Sequence, residues 1–109
     1  MIRTPDSVLE EAVRLNSELR RGSDMLYKSK LKAERARDTA KAVEAAAFLE
    51  STGTVAERQA KATLAAKEAR DAMHISEAEL ERVKSKIRAL EQTQSLLQTE
   101  LRYMRDAGA

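Results

Sequence analysis

The stretch Glu50-Ser51-Thr52-Gly53-Thr54-Val55-Ala56-Glu57 lies near the middle of a 109-residue chain and decides how the rest folds. Glycine takes positive φ at little steric cost, so Gly53 suits the position just past a helix end. Thr54 has Glu57 three residues on, the spacing of a capping box. There the hydroxyl accepts from a backbone N–H of the first turn and the carboxylate reaches back to the Thr amide. One helix therefore stops near Ser51 and a second starts at Thr54. A link this short permits only an antiparallel return. The chain reads as all-α: a long antiparallel, coiled-coil-like helical hairpin. It forms one domain over residues 1–109, with helices over about 5–50 and 55–105 and a turn at 51–54.

Upstream, Thr4-Pro5-Asp6 has the order of a helix start: a capping hydroxyl, a proline suited to the first helical position, and an acid against the positive helix end. Met1–Arg3 precede it and are expected to fray. Apolar or small residues then recur in steps of three and four at Val8, Ala12, Leu15, Leu19, Gly22, Leu26, Ala33, Ala36, Ala40, Val43 and Ala47, with Ser29 a polar member. Gly22-Ser23-Asp24 reads two ways. Glycine weakens a helix interior and Ser23 or Asp24 could cap a new helix, which makes a kink; the seam nonetheless keeps its phase, which makes one unbroken helix.

Downstream of the turn a second seam runs through Ala62, Ala66, Ala69, Met73, Leu80, Val83, Ile87, Leu90, Leu97, Leu101 and Met104, with Ser76 and Gln94 polar, and ends near Arg105. Folding at Gly53 pairs Ala47 with Ala56, Ala36 with Ala69, Leu26 with Leu80 and Leu19 with Ile87. Alanine meets alanine near the turn, and large side chains meet at the open end. Leu80, Val83, Ile87, Leu90, Leu97 and Leu101, with Ile75 and Leu96 off the seam, make a stripe wider than one partner helix fills. A two-helix interior is also small, so a homo-oligomer built through those six residues is expected.

Composition agrees. Charged residues are 35% of the chain, with one Pro and three Gly, as in long helices and coiled coils. With no cysteine, disulfides and thiolate metal sites are excluded, which suits a reducing cytoplasm. No apolar run is long enough to span a membrane and the first residues have no signal-peptide core, so a cytoplasmic protein without membrane attachment is expected. His74 is the single histidine and has no second ligand at metal-binding spacing; Glu77, Glu79 and Glu81 fall on different helix faces, and Glu44 and Glu50 read as solvated charges. Neither an enzyme nor a cofactor is expected.

The net charge is only +2, so any polyanion surface must come from clustering. Tyr27-Lys28-Ser29-Lys30-Leu31-Lys32-Ala33-Glu34-Arg35-Ala36-Arg37 supplies it, and Arg82, Lys84, Lys86 and Arg88 form a second run that the hairpin sets beside Arg20 and Arg21. Such cations neutralise phosphates without sequence preference; the same run also reads as a solvated helix face. Tyr27 could stack on a base or pack on a helix. Phe48 and Tyr103 are expected to pack.

Met25-Leu26-Tyr27-Lys28-Ser29-Lys30-Leu31, the aromatic-to-glycine turn from Phe48 to Gly53, the second long helix, and the ending Leu101-Arg102-Tyr103-Met104-Arg105-Asp106-Ala107-Gly108-Ala109 together resemble the UvsY-like recombination mediators of tailed phages. The resemblance spans most of the chain on short helical motifs. It implies a ring of helical hairpins that binds single-stranded DNA and helps exchange a single-strand-binding protein for a RecA-type recombinase. Those mediators carry a Lys-x-Arg pair before the turn; here Lys41-Ala42-Val43-Glu44 keeps the lysine, lacks the arginine and adds an acid. The DNA-binding set is accordingly Tyr27, Lys28, Lys30, Lys32, Arg35 and Arg37, with Lys41 as the family's remaining cation. The alternative is a phage protein-interaction module, such as a host-nuclease inhibitor, an assembly chaperone or a virion coiled coil.

Overall fold

A computed structural model describes residues 4–108, and the fraying expected of Met1–Arg3 lies outside them. Helix α1 runs Pro5–Glu50, α2 Val55–Ala65 and α3 Lys67–Gly108, with no strand among the described residues. The Ser7 N–H donates to Thr4 Oγ1 at 3.1 Å and the Val8 N–H to the Thr4 carbonyl at 3.1 Å, so Thr4 caps α1 ahead of Pro5. α1 is unbroken through Gly22. The Ser23 hydroxyl does not cap a new helix; it donates back to the Leu19 carbonyl at 3.2 Å. Gly22 has a packing reason instead. A Cβ there would lie 3.2 Å from Ile87 Cγ1, a tight contact from which the Ile87 side chain would have to give by a few tenths of an ångström.

The turn forms where expected, with one half of the capping box. Gly53 has φ 113°, and no other described residue has positive φ. Thr54 is extended and its hydroxyl oxygen accepts from the Glu57 N–H at 3.2 Å. The Glu57 carboxylate lies over Gly53, in the space a Cβ would need, rather than on the Thr54 amide. Two further clasps cross the turn. Arg58 stacks its guanidinium 4.4 Å from the centre of the Phe48 ring and donates from Nε and Nη2 to the Phe48 carbonyl at 3.2 and 3.0 Å. Lys61 Nζ donates to the Thr52 carbonyl at 3.0 Å. The first reinforces the Phe48 carbonyl in the last turn of α1, which otherwise takes only a 3.3 Å bond from the Ser51 N–H, and the second holds the linker just beyond the helix end.

The second helix differs from expectation in two details. Ala66 (φ −88°, ψ 0°) separates α2 from α3, yet its N–H still bonds Ala62 and its carbonyl still accepts from Arg70 at 2.9 Å. The interruption is one residue of altered dihedrals, and Leu64-Ala65-Ala66-Lys67, all good helix formers, holds no sign of it. α3 also continues past Arg105 to Gly108.

Contacts divide the chain into two units, Tyr27–Glu81 and the pair Met1–Leu26 with Arg82–Ala109. In the first, Ala33, Ala40, Ala62, Ala66 and Ser76 are buried. In the second, Val8, Leu15 and Leu97 form the core, with Ala12, Leu19, Leu90, Leu101 and Met104 packed on it, and Gln94 Nε2 donates to Asn16 Oδ1 at 2.9 Å. Every position of both seams is buried or half-buried, the polar Ser29, Ser76 and Gln94 included. The register is not the one that counting from Gly53 gives, because Ile87 lies against Gly22, three positions beyond Leu19. Helical side chains lean toward their own N terminus. In an antiparallel pair the two leans add, and facing residues move to higher numbers on both helices.

Two stability outcomes follow from this packing. Leu97→Ala, at a site 4% exposed, lowers unfolding free energy by about 2–5 kcal/mol, while Leu96→Ala, next door and 71% exposed, stays within about 0.5 kcal/mol. Denaturant titration followed by circular dichroism measures both, and equal losses would place the seam on the wrong face. Gly53→Ala forces a side chain into positive φ and against Glu57; thermal melting should report a loss of about 1–3 kcal/mol.

Candidate nucleic-acid interface

The basic residues predicted to bind DNA lie on α1 within the Tyr27–Glu81 unit. Lys28, Lys30, Lys32, Arg35, Arg37 and Lys41 are all exposed. With 3.6 residues per turn they fall into two rows, one on each flank of the seam. Lys28, Lys32 and Arg35 make one row. Lys30, Arg37 and Lys41 make the other, with Glu34 interleaved.

The rows are not uniform. Lys32 and Arg37 are the cations nearest the seam on their respective flanks, and both reach the returning helix. Lys32 Nζ lies 3.1 Å from Glu79 Oε2 and Arg37 Nη2 lies 3.2 Å from Glu77 Oε1. Glu77 and Glu79 straddle the α3 seam, so the two bridges close opposite edges of the helix pair. Lys28, Lys30, Arg35 and Lys41 point farther from the seam and make no ion pair among the described residues. Both ion pairs cross between helices.

Tyr27 is 70% exposed beside Lys28, with its ring open to a planar ligand rather than packed on a helix. Tyr103, expected to pack, is 76% exposed. Phe48 does pack, as the ring under Arg58. Glu44, read as a solvated charge, is instead half-buried. Its Oε1 accepts from Gln59 Nε2 at 3.1 Å and its Oε2 from Arg70 Nη2 at 2.6 Å. Glu44 is thus turned toward the returning helices and tied there. The residues around Glu44 give no local signal of this, since Arg70 lies far along the chain.

In the other unit, Arg21 and Lys86 share a shallow groove of about 290 Å³ over Gly22, floored by Met25, Val83, Ile87 and Leu90. Of the second basic run and the Arg20-Arg21 pair, the groove brings together Lys86 and Arg21. The residues predicted to build an oligomer serve mainly inside the chain. Leu97 is buried against Val8 and Leu15, Leu90 and Leu101 pack on that cluster, Ile87 covers Gly22, Val83 lines the groove, and Leu80 is half-buried in its own unit. All but Leu97 keep some exposed surface. Off the seam, Leu9, Val13, Leu96 and Ile75 are exposed.

His74 is exposed, and no cluster of three His, Cys, Asp or Glu side chains able to hold a metal ion is present among the described residues. No helix among them is long and apolar enough to cross a membrane. No protein-family model, curated protein or solved structure matches the chain.

Proposed function

We propose that this chain is a non-enzymatic, self-associating helical hairpin that binds single-stranded DNA through the basic rows of α1, and that it works as a UvsY-like phage recombination mediator in the cytoplasm of an infected bacterium. The observation that carries the DNA-binding reading is the set Lys28, Lys30, Arg35 and Lys41, exposed and without ion-pair partners on one helix, beside the exposed ring of Tyr27. Free cations release counterions from a phosphate backbone, and an open aromatic supplies a stacking platform that tolerates any base. The mediator role, with a RecA-type recombinase and a single-strand-binding protein as partners, rests on the sequence motifs from Met25 to Leu31 and from Leu101 to Ala109. Self-association is supported by the thin interior, where Val8 is the one large side chain fully buried among the described residues. One hairpin offers few phosphate contacts, and an assembly repeats them, so binding gains by multivalency.

A protein-interaction module is the second reading, favoured by the exposed Leu9, Val13, Leu96 and Tyr103. The two readings separate in a titration of labelled single-stranded DNA at several salt concentrations. Replacing Lys28, Lys30, Arg35 and Lys41 together by Ala should weaken binding at least tenfold and flatten the salt slope by up to about 2.8, at about 0.7 per phosphate contact. Alanine favours helix, so lost folding would not explain the loss. No wild-type binding at low salt, or an unchanged slope in the variant, leaves the rows as a solvated face and hands the function to the interaction module. Light scattering tests assembly. Leu90→Asp puts a charge at a core-packed position and should lower both mass and helicity, whereas a fully helical wild-type monomer at micromolar concentration would remove the oligomer from the proposal.

A further inference from the structure

We infer that Glu77 and Glu79 act as built-in competitors for phosphate, holding the central cation of each basic row out of the nucleic-acid contact. The inference rests on the DNA-binding reading above and adds what limits that site. In the row Lys28–Lys32–Arg35 the middle residue is bonded to Glu79; in the row Lys30–Arg37–Lys41 the middle residue is bonded to Glu77. Each row thus has a free cation at either end and a neutralised one between them.

The arrangement follows from geometry. A cation near the seam can reach the partner helix and one turned away from it cannot, so the acids flanking the α3 seam select Lys32 and Arg37. Both bridges stay open to solvent, with side chains between 36% and 64% exposed, so a phosphate has access to them. Access does not produce net attraction. Seating a phosphate on Lys32 releases a counterion from the DNA but leaves the Glu79 carboxylate a few ångströms away, repelling the phosphate and drawing a cation from solution. The release and the uptake cancel. Arg37 and Glu77 behave the same way on the other edge. The effective site is therefore four cations in two interrupted rows; removing the two carboxylates returns Lys32 and Arg37 to them, which makes the Lys28–Lys32–Arg35 row continuous and leaves Glu34 as the acid within the other.

The test uses fluorescein-labelled oligothymidylate as the probe and the full chain. Glu77→Gln with Glu79→Gln keeps side-chain size and removes the two charges. It should tighten binding about tenfold at low salt and steepen the salt slope by about 1.4, two contacts at about 0.7 each. Glu10→Gln with Glu91→Gln, at exposed positions in the other unit, changes net charge equally and should leave the slope where it was. A variant with all four partners neutralised, Lys32→Ala, Arg37→Ala, Glu77→Gln and Glu79→Gln, should bind like wild type, since each bridge is removed whole. Circular dichroism confirms that the variants remain helical. If wild type binds and the Glu77/Glu79 variant keeps its affinity and slope, the competitor role is wrong and the DNA-binding reading stands. The competitor role also fails if the Glu10/Glu91 control shows the full effect. If the Glu77/Glu79 variant binds where wild type does not, the two carboxylates do compete for phosphate but the DNA-binding function proposed for the wild-type chain falls. If neither binds at low salt, both this inference and the DNA-binding reading fall.

Discussion

Two helices packed side by side share only a narrow line of contact, and that constraint shapes everything else in this chain. A residue lies on the seam, on one of its flanks, or away from it. Seam positions must be small or apolar, and small ones dominate in the unit that holds the turn, where the buried set is Ala33, Ala40, Ala62, Ala66 and Ser76. Flank positions are long and charged, because their stems can cover the seam while their heads reach water or an opposite charge. Lys32, Arg37, Glu44, Arg70, Glu77 and Glu79 all do this. What lies away from the seam is free to meet a partner.

The turn shows how little chemistry fixes such a hairpin. One glycine at positive φ reverses the chain, one hydroxyl caps the new helix, one cation binds a carbonyl of the old one and another a carbonyl of the linker. Arg58 carries the most. It covers the Phe48 ring and its guanidinium fork takes the carbonyl of the same residue, an arrangement a lysine could not reproduce. The turn is held by side chains from the returning helix, so its geometry and the start of α2 are specified together.

The fold is legible in the sequence because its determinants are local or periodic. Thr4-Pro5-Asp6, Gly53-Thr54 and the three-and-four spacing each act over a few residues, and the seam they define matches the buried and half-buried positions, including Ser29 and Gln94. The basic rows are legible for the same reason. Hidden are the features that depend on register between helices: which acid meets Lys32, where Glu44 points, which residue faces Ile87. Counting from the turn places partners to within about one helical turn, and an ion pair forms or fails within that tolerance. Gly22 stands out in the sequence for its backbone and matters in the fold for its missing side chain. Tyr103 invites a neighbour because aromatics usually have one, and its helix offers none. The break at Ala66 has no side-chain signature at all.

The span of chain closed by each contact also sets an order of assembly. Arg58 reaches Phe48 across ten residues, whereas Gln94 reaches Asn16 across seventy-eight. Loop-closure entropy rises by about 0.6 kcal/mol for each doubling, so the outer contact costs about 2 kcal/mol more to close if made first. Contacts laid down from the turn outward avoid most of that cost, because each brings the next pair into reach. The strongest hydrophobic residues, Val8, Leu15 and Leu97, therefore take part last. The alanines and the glycine determine where the zipper starts, and the leucines determine whether it stays closed.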